Sequence, residues 1–277
     1  MSKFFTTFVA DFGIIMEKIA KSQVKLVKSL QLKKFRDELG LFVAEGEKCV
    51  SELAKSFELV QLYINSEAIN GEAINGEAYQ REATIVPKEQ LEQISGLRTP
   101  QGVIGVFKKK SDPSAPSDKS EAINSLALAL DGIQDPGNLG TIIRTCDWFG
   151  VHDIFCSRDT ADCYNPKVVQ ATMGALARVR IHYVDLPAWL AEQQCPIFGT
   201  LLDGKNMYDV LSSINRQSFN RQSSIIVMGN EGNGISSAVR QLITHPIRIP
   251  SYPKNAETSE SLNVSIATAI VLAEFRR

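Results

Sequence analysis

The stretch that decides the fold is residues 126–150, LALALDGIQDPGNLGTIIRTCDWFG. An apolar run that ends at Asp131 predicts a buried strand, and the Pro and Gly residues after it predict a loop. A helix should follow from about Asn138, because apolar residues recur there at i, i+3, i+4 and i+7. The face that this pattern turns toward a sheet consists of Leu139, Ile142, Ile143 and Cys146. Arg144 falls about 150° from the centre of that face.

The loop in this unit indicates a ligand without identifying it. A strand, a glycine-containing loop and a helix N-terminus can together hold a phosphate or a nucleotide. The loop matches neither the G-x-G-x-x-G fingerprint of dinucleotide-binding folds nor a P-loop. The usual dinucleotide-binding interpretation is therefore weakened.

The rest of the chain predicts two α/β domains. Four more short apolar segments, DIFCS, PIFGT, SIIVMG and IRIP, alternate with helix-like stretches. This alternation is typical of a parallel sheet built from βα units, so a parallel α/β domain is predicted over residues 125–277. Residues 108–124 are rich in Ser, Pro and Lys and predict a linker. Residues 16–107 predict a smaller α/β domain, and residues 1–15 an N-terminal extension.

The composition is that of an ordinary globular protein and argues against several other classes. The chain has 277 residues, of which 44% are hydrophobic and 22% charged, and its formal net charge is −1. No apolar run approaches the roughly 18 residues of a membrane helix. The five cysteines form no C-x-x-C pair, and the three histidines lack metal-ligand spacing. We therefore expect a reduced, cytoplasmic protein without a metal site.

A basic stretch near the N-terminus stands out against this neutral background. Its cations include Lys25, Lys28, Lys33, Lys34 and Arg36. A local basic stripe can contact RNA phosphates even when the whole chain is neutral. A solvated helix face explains the charges equally well, and the charge pattern alone leaves both interpretations open.

Two further loops follow predicted strands of the larger domain. One is GNEGNG, residues 229–234, in which three glycines allow close approach of backbone to a ligand. The other lies in IRIPSYPKNAETSESLNVS, where a helix begins after a long polar loop and Ser259 or Ser261 is a candidate N-cap. Because parallel strands end at one edge of a sheet, all three loops should build one ligand site there.

The three loops together resemble a known family. N-x-G-x-x-x-R-T at 138–145, M-G-N-E-G-x-G at 228–234 and I-P…S-L-N-V-S-x-A at 249–267 are similar to the three motifs of the SpoU/TrmH RNA 2′-O-methyltransferases. These enzymes belong to the SPOUT superfamily, whose methyltransferase domain contains a deep trefoil knot. The smaller domain resembles that family's ribosomal-protein-like substrate-binding domain in K-x-x-K-S-L, F-x-x-E-G-x-K and T-P-Q-G.

The resemblance implies a reaction and its residues. S-adenosylmethionine would supply a methyl group to a ribose 2′-hydroxyl in RNA, and the enzyme would be a homodimer. By analogy with the ribosomal-protein-like domain, ribosomal RNA is favoured over transfer RNA as the substrate. The residues that match the family's catalytic set are Arg144, Asn138, Glu231, Ser261 and Asn263. Those that match its methyl-donor pocket are Thr200, Gly229, Ile249 and Leu262.

The role of the arginine follows from its chemistry. An arginine with a pKa above about 12 is a poor general base. We therefore expect Arg144 to act as a cation, lowering the pKa of the hydroxyl or binding the neighbouring phosphate, with Glu231 orienting it. A role as a base stays open. One departure from the family is the segment at 251–260, which is longer than usual and lacks glycine, so we expect a differently shaped lid over the donor pocket.

Two other functions compete with this interpretation. A non-catalytic RNA-binding protein could keep the fold without turnover, although the complete set of motif residues argues against it. A nucleotide-binding oxidoreductase is disfavoured by the missing G-x-G-x-x-G. The C-terminal helix is apolar on nearly all sides, which predicts that a second subunit covers one of its faces.

Overall fold

The computed structural model describes residues 18–66, 83–110, 126–213, 223–253, 259 and 261–277. The chain forms two compact units, residues 1–109 and residues 110–277. The expected N-terminal extension, most of the expected linker and much of the 251–260 loop lie outside the described residues. Among the described residues, no helix is long and apolar enough to cross a membrane.

The N-terminal unit is a four-stranded sheet with helices. Its strand order is β1-β4-β2-β3, antiparallel except for the parallel pair of β2 and β3. Its core gathers apolar side chains from both strands and helices, for example Val27, Leu91 and Val106. The elements are α1 (Lys21–Ser29), α2 (Lys33–Leu39), β1 (Leu41–Glu45), α3 (Glu47–Ala54), β2 (Leu59–Asn65), β3 (Ala83–Val86), α4 (Lys88–Ile94) and β4 (Val103–Lys108).

Arg36 is buried, and this corrects one prediction. Its side chain is 1% exposed, and its Nη1 donates to the carbonyls of Leu30 and Gln31, each at 2.9 Å. These two carbonyls lie just after the C-terminal end of α1, where no N–H group of the helix is available to bond them. The guanidinium of Arg36 supplies the missing donors. Arg36 thus holds the turn between α1 and α2, and its assignment to RNA binding was wrong.

The four lysines that were grouped with Arg36 are exposed. Lys25 and Lys28 lie on α1, and Lys33 and Lys34 begin α2. Lys33 Nζ lies 2.7 Å from Asp37 Oδ2, an exposed pair one helical turn apart. An exposed ion pair of this kind contributes little to stability, so it competes weakly with other partners of Lys33. Because all four lysines are exposed, their charges are accessible to a polyanion.

The C-terminal unit is built on a six-stranded parallel sheet of order β10-β8-β9-β5-β6-β7. Its strands are β5 (Leu126–Asp131), β6 (Asp153–Ser157), β7 (Arg180–Val184), β8 (Ile197–Asn206), β9 (Ser224–Gly229) and β10 (His245–Arg248). Its helices are α5 (Pro136–Trp148), α6 (Pro166–Thr172), α7 (Leu186–Ala191), α8 (Met207–Ser213), α9 (Ser237–Arg240) and α10 (Val264–Arg276), with a 3-10 turn at Ala175–Ala177.

Helix α5 packs as its apolar period predicts. Leu139, Ile142, Ile143 and Cys146 are all fully buried, which confirms the predicted face. The close packing of α5 against α6 requires a glycine at 140, since a Cβ there would lie 2.5 Å from the Cβ of Ala171 and 2.7 Å from a backbone oxygen. The G in the first motif therefore serves helix packing, while its polar neighbours remain exposed.

Candidate active site

The site begins where two neighbouring strands end. Strands β5 and β9 run parallel, and Asp131 pairs with Gly229 at their last position. The carboxylate of Asp131 accepts a hydrogen bond from the backbone N–H of Ser236 at 2.7 Å, which ties the loop after β9 to the end of β5. This is the C-terminal edge of the sheet, where parallel α/β folds bind ligands.

Asn230 makes the loop after β9 rigid. Its Nδ2 donates to the carbonyl of Gly132 at 2.7 Å, and its Oδ1 accepts from the N–H groups of Gly232 and Asn233 at 2.9 and 3.1 Å. The backbones of Asn230 and Gly234 also exchange two hydrogen bonds, of 2.9 and 2.8 Å. Gly234 has φ +67°, a conformation that glycine adopts without strain. The loop is a closed turn that holds Glu231 at its exposed tip.

Three motifs converge on the carboxylate of Glu231. Asn138 Nδ2 donates to Glu231 Oε1 at 2.6 Å, and Asn263 Nδ2 donates to the same oxygen at 2.9 Å. Asn263 Nδ2 also lies 3.0 Å from Asn138 Oδ1. Glu231 and Asn263 are exposed and Asn138 is partly exposed, so the cluster is open to a ligand. We call these residues, Asn138, Glu231 and Asn263, the carboxamide cluster.

Both helices of the site are capped beside this cluster. Asp135 accepts the N–H of Asn138 at 2.8 Å and begins α5. Asn263 Oδ1 accepts the N–H groups of Ser265 and Ile266 at 3.0 and 3.3 Å and begins α10. The expected serine N-cap at 259 or 261 was therefore wrong, because Asn263 takes that role. The side chain of Asn263 thus has two functions. Its Oδ1 caps the start of α10, and its Nδ2 holds the carboxylate of Glu231.

Arg144 and Ser261 are not brought into contact with the carboxamide cluster. Arg144 lies on the exposed side of α5, six residues after Asn138 and so about 9 Å further along the helix axis. It makes no hydrogen bond or ion pair with any described residue, and Glu231 does not orient it within this chain. Ser261 is exposed, two residues before Asn263, and likewise has no partner in the described part of the chain.

Of the expected methyl-donor residues, Thr200 lies on β8 and Gly229 ends β9, while Ile249 and Leu262 lie outside the strands and helices. Thr200 donates its hydroxyl to the carbonyl of Val227 at 3.2 Å, two residues before Gly229. A Cβ at Gly229 would collide with the backbone of Gly234 and Ile235, so the turn closes tightly there. Ile249 follows the end of β10, and Leu262, 49% exposed, precedes Asn263.

A second layer under the site was missed from the sequence. Ser157, at the end of β6, accepts the N–H of Gly132 at 2.8 Å and lies 3.1 Å from the hydroxyl of Thr160. Gly132 has φ +71°, and its carbonyl is the group that Asn230 binds. Ser157 and Thr160 are both buried. The signal for this layer was the polar S-R-D-T that follows an apolar strand, a pattern that is also common in loops.

A cysteine nucleophile is excluded at the buried thiols next to this layer. Cys146 on α5 and Cys156 on β6 are fully buried, and burial raises the pKa of each thiol. Their thiols stay protonated and cannot reach a ligand. These two thiols therefore supply no nucleophile to the site.

Comparison with known proteins identifies the family. The model of the SpoU rRNA Methylase family matches residues 125–273. The chain belongs to this family. An MRM3-like substrate binding domain matches residues 21–105, ahead of the SpoU domain. The predicted family is thereby confirmed.

Individual SpoU relatives match over nearly the whole chain. The 23S rRNA (guanosine(2553)-2′-O)-methyltransferase RlmP of Bacillus subtilis is 27% identical over 94% of this chain and 98% of its own length. The structure of a TrmH-family protein from Porphyromonas gingivalis is 35% identical, with a TM-score of 0.76 over 94% of this chain and 99% of that one. An AdoMet-bound rRNA methyltransferase from Sinorhizobium meliloti is 28% identical, with a TM-score of 0.75 over 94% of this chain and 95% of that one. These likenesses confirm the predicted α/β fold.

Proposed function

We propose that this chain transfers a methyl group from S-adenosylmethionine to a ribose 2′-hydroxyl in ribosomal RNA. The observation that carries the proposal is the carboxamide cluster, in which three SpoU motifs meet through hydrogen bonds at the C-terminal edge of the parallel sheet. The full-length similarity to RlmP supports ribosomal RNA as the substrate class.

The methyl donor fits the edge formed by the ends of β8, β9 and β10. S-adenosylmethionine, when bound, supplies an electrophilic methyl group. Thr200 and the backbone at Gly229, Ile249 and Leu262 would hold it. The exposed side chain of Leu262 suits an aromatic base, and the closed turn at Gly229 presents backbone polar groups to the nucleoside.

The carboxamide cluster orients the attacking hydroxyl. Glu231 Oε1 is occupied by two amide donors, whereas Oε2 makes no hydrogen bond with any described residue. Oε2 accepts the hydrogen of the ribose 2′-hydroxyl and aligns its oxygen with the methyl group. Arg144 supplies the cation that lowers the hydroxyl's pKa or holds the adjacent phosphate, and Ser261 adds a hydroxyl beside the cluster.

A homodimer completes this site. Helix α10 buries Val271, Leu272 and Phe275 on one side, while its other side leaves Ile266 54% exposed and Ile270 partly exposed. Trp148 is 85% exposed, one helical turn beyond Arg144 on the neighbouring helix α5. Burial of these apolar side chains favours association. A partner subunit that covers them places Arg144 of one subunit at the cluster of the other.

The exposed lysines of the N-terminal unit, Lys25, Lys28, Lys33 and Lys34, bind RNA phosphates, and the domains divide at the 108–124 linker. The C-terminal segment forms the family's trefoil knot, a rare exception to unknotted topology. The enzyme works in the cytoplasm and needs no metal.

Two experiments test the proposal. Calorimetry with S-adenosylmethionine and, separately, NAD should show binding of the former alone; binding of NAD alone would support the oxidoreductase alternative. Ribose methylation is then mapped on ribosomal RNA by primer extension at limiting nucleotide, in strains with and without the gene. One primer-extension stop on ribosomal RNA should be present in the strain with the gene and absent from the strain without it. Unchanged ribosomal RNA and a changed transfer RNA would refute the substrate class, and no change in either would favour a non-catalytic RNA-binding protein.

A further inference from the structure

The arginines of the C-terminal unit fall into two groups. The described part of this unit contains eight arginines, and five of them have a protein partner. The pairs are Arg178 with Asp147, Arg180 with Asp153, Arg240 with Asp203, Arg277 with Glu274, and Arg276 with the carbonyls of Phe149 and Gly150. The other three, Arg144, Arg158 and Arg248, make no hydrogen bond or ion pair with a described residue.

The two unpaired arginines without an assigned role share one edge of the sheet. Arg158 directly follows the last residue of β6, and Arg248 is the last residue of β10. Both are exposed and lie at the C-terminal edge, where the carboxamide cluster also lies. By contrast, Arg180 is the first residue of β7 and Arg178 precedes it by two residues, so both lie toward the opposite edge of the sheet. The unpaired guanidinium groups are therefore concentrated at the edge that carries the site.

Arg158 is unpaired although an acid is next to it. Asp159 is exposed and adjacent in sequence, and its carboxylate turns instead toward Gly132, where Oδ2 lies 3.2 Å from the position of an added Cβ. The guanidinium keeps its five N–H donors for an external acceptor. A phosphate suits it, because arginine binds phosphate with two parallel hydrogen bonds.

Arg248 borders a cavity of about 630 Å³. Lys205, Asn206, Thr244 and His245 also line it, and Asp209 is the one carboxylate among its described lining residues. Lys205 makes no ion pair within the described residues, so two free cations border this space. A cavity of this size accommodates a nucleotide.

We propose that a single-stranded segment of the substrate RNA runs along the C-terminal edge of the sheet, with Arg248 binding a backbone phosphate on one side of the carboxamide cluster and Arg158 binding one on the other. The cluster lies at the ends of β5 and β9, between β10 and β6 in the strand order. Four strand spacings separate β10 from β6, about 19 Å, which a few nucleotides span. Single-stranded segments are the usual targets of sequence-specific RNA recognition. This inference rests on the proposed function for its choice of ligand.

The test compares Arg158→Gln and Arg248→Gln with Arg178→Gln, which neutralises an exposed arginine that already has a partner. The probe is unmodified large-subunit ribosomal RNA made by transcription, and binding is measured over a range of salt concentrations. We expect each edge variant to bind about five- to tenfold more weakly and to lower the salt slope by about 0.7, as when one fewer phosphate is neutralised. Arg178→Gln should match the wild type, and S-adenosylmethionine affinity should stay constant in all three.

Edge variants that bind RNA like Arg178→Gln would overturn the RNA path. Methyl transfer by the wild-type protein is measured in parallel and tests the proposed function separately. If the wild type transfers methyl groups and the edge variants bind RNA as tightly as the wild type, the RNA path is refuted and the proposed function stands. If the edge variants bind RNA more weakly but the wild type transfers no methyl group, the RNA path is supported and the proposed reaction is refuted.

Discussion

Asn138 Nδ2 donates a hydrogen bond of 2.6 Å to Glu231 Oε1, across 93 residues of sequence. Asn263 donates to the same oxygen at 2.9 Å, so one carboxylate oxygen on the loop after β9 joins the first turn of α5 to the start of α10. With this oxygen fixed by two amides, the other oxygen keeps a defined direction for a substrate hydroxyl.

Glu231→Gln should lower kcat by at least about 100-fold, the usual cost of removing a preorganised polar group from a reaction. The substituted amide keeps the size of the side chain but removes the negative charge that orients the hydroxyl. S-adenosylmethionine affinity, measured by calorimetry, should not change. The matched control is Asn233→Ala in the same loop, where only the backbone N–H makes a described hydrogen bond. Equal loss of activity in both variants would show that loop damage, not the carboxylate, is responsible.

Arg144→Ala should abolish methyl transfer and leave donor binding nearly intact. The side chain is exposed on α5 and has no partner among the described residues, so its removal costs the fold little. Arg144→Lys keeps a positive charge and should retain part of the rate. Calorimetry and single-turnover kinetics separate the two effects. Parallel loss of donor affinity and turnover would mean that Arg144 has a structural role.

Ser157→Ala should destabilise the protein by about 1–3 kcal/mol, because the buried N–H of Gly132 loses its acceptor. The turn at Gly132 also holds Asn230, so kcat should fall while KM for RNA stays constant. Ser224→Ala is the matched control, since its buried hydroxyl has no partner in the described structure. Urea unfolding gives the stability change. The second layer would lose its assigned role if both variants behaved alike.

Ile270→Glu should produce monomers or insoluble protein and should abolish activity, although no motif residue changes. A charge on the partly exposed face of α10 cannot be buried against a second subunit without a large cost. Light scattering after size exclusion gives the mass. Ala238→Glu, an exposed position on α9, should stay dimeric and active. A soluble, fully active Ile270→Glu monomer would refute both the interface and its link to catalysis.

Replacing Lys25, Lys28, Lys33 and Lys34 by Gln should weaken RNA binding and flatten its salt dependence by about 0.7–0.9 for each phosphate that is no longer neutralised. The rate of the chemical step at saturating RNA should not change. Arg36→Gln should instead lower stability, because Arg36 is buried against two carbonyls. If the salt slope of the quadruple variant were unchanged, the lysines would form a solvated helix face that does not contact RNA.

Burial explains what could be predicted from the sequence. The buried strands and the inner face of α5 were found because complete burial imposes an apolar period on the residues. Strand β7, Arg180–Val184, was missed because it is an edge strand with polar residues and only one buried position. Strand β8 runs on to Asn206 through the polar segment LLDGKN, where no apolar pattern marks it.

The site was predictable in its parts and not in its contacts. The motifs identified Asn138, Glu231 and Asn263, yet the shared oxygen depends on how three distant loops fold together. Arg36 was misassigned because its partners are backbone carbonyls. Every residue has such a carbonyl, so the amino-acid sequence does not reveal the contact. The pairing of Glu231 with two amides rather than with Arg144 is a property of the folded chain, since α5 carries Arg144 about two turns away from Asn138.

The central claim is tested most directly by nucleoside analysis after one reaction. The purified protein is incubated with isotope-labelled S-adenosylmethionine and unmodified ribosomal RNA transcripts, and the digested nucleosides are separated and identified by mass spectrometry. The label should appear in one 2′-O-methylated nucleoside at one position in the wild-type reaction and should be absent with Glu231→Gln. Label on a base, or equal labelling by both proteins, would contradict ribose methylation directed by the carboxamide cluster.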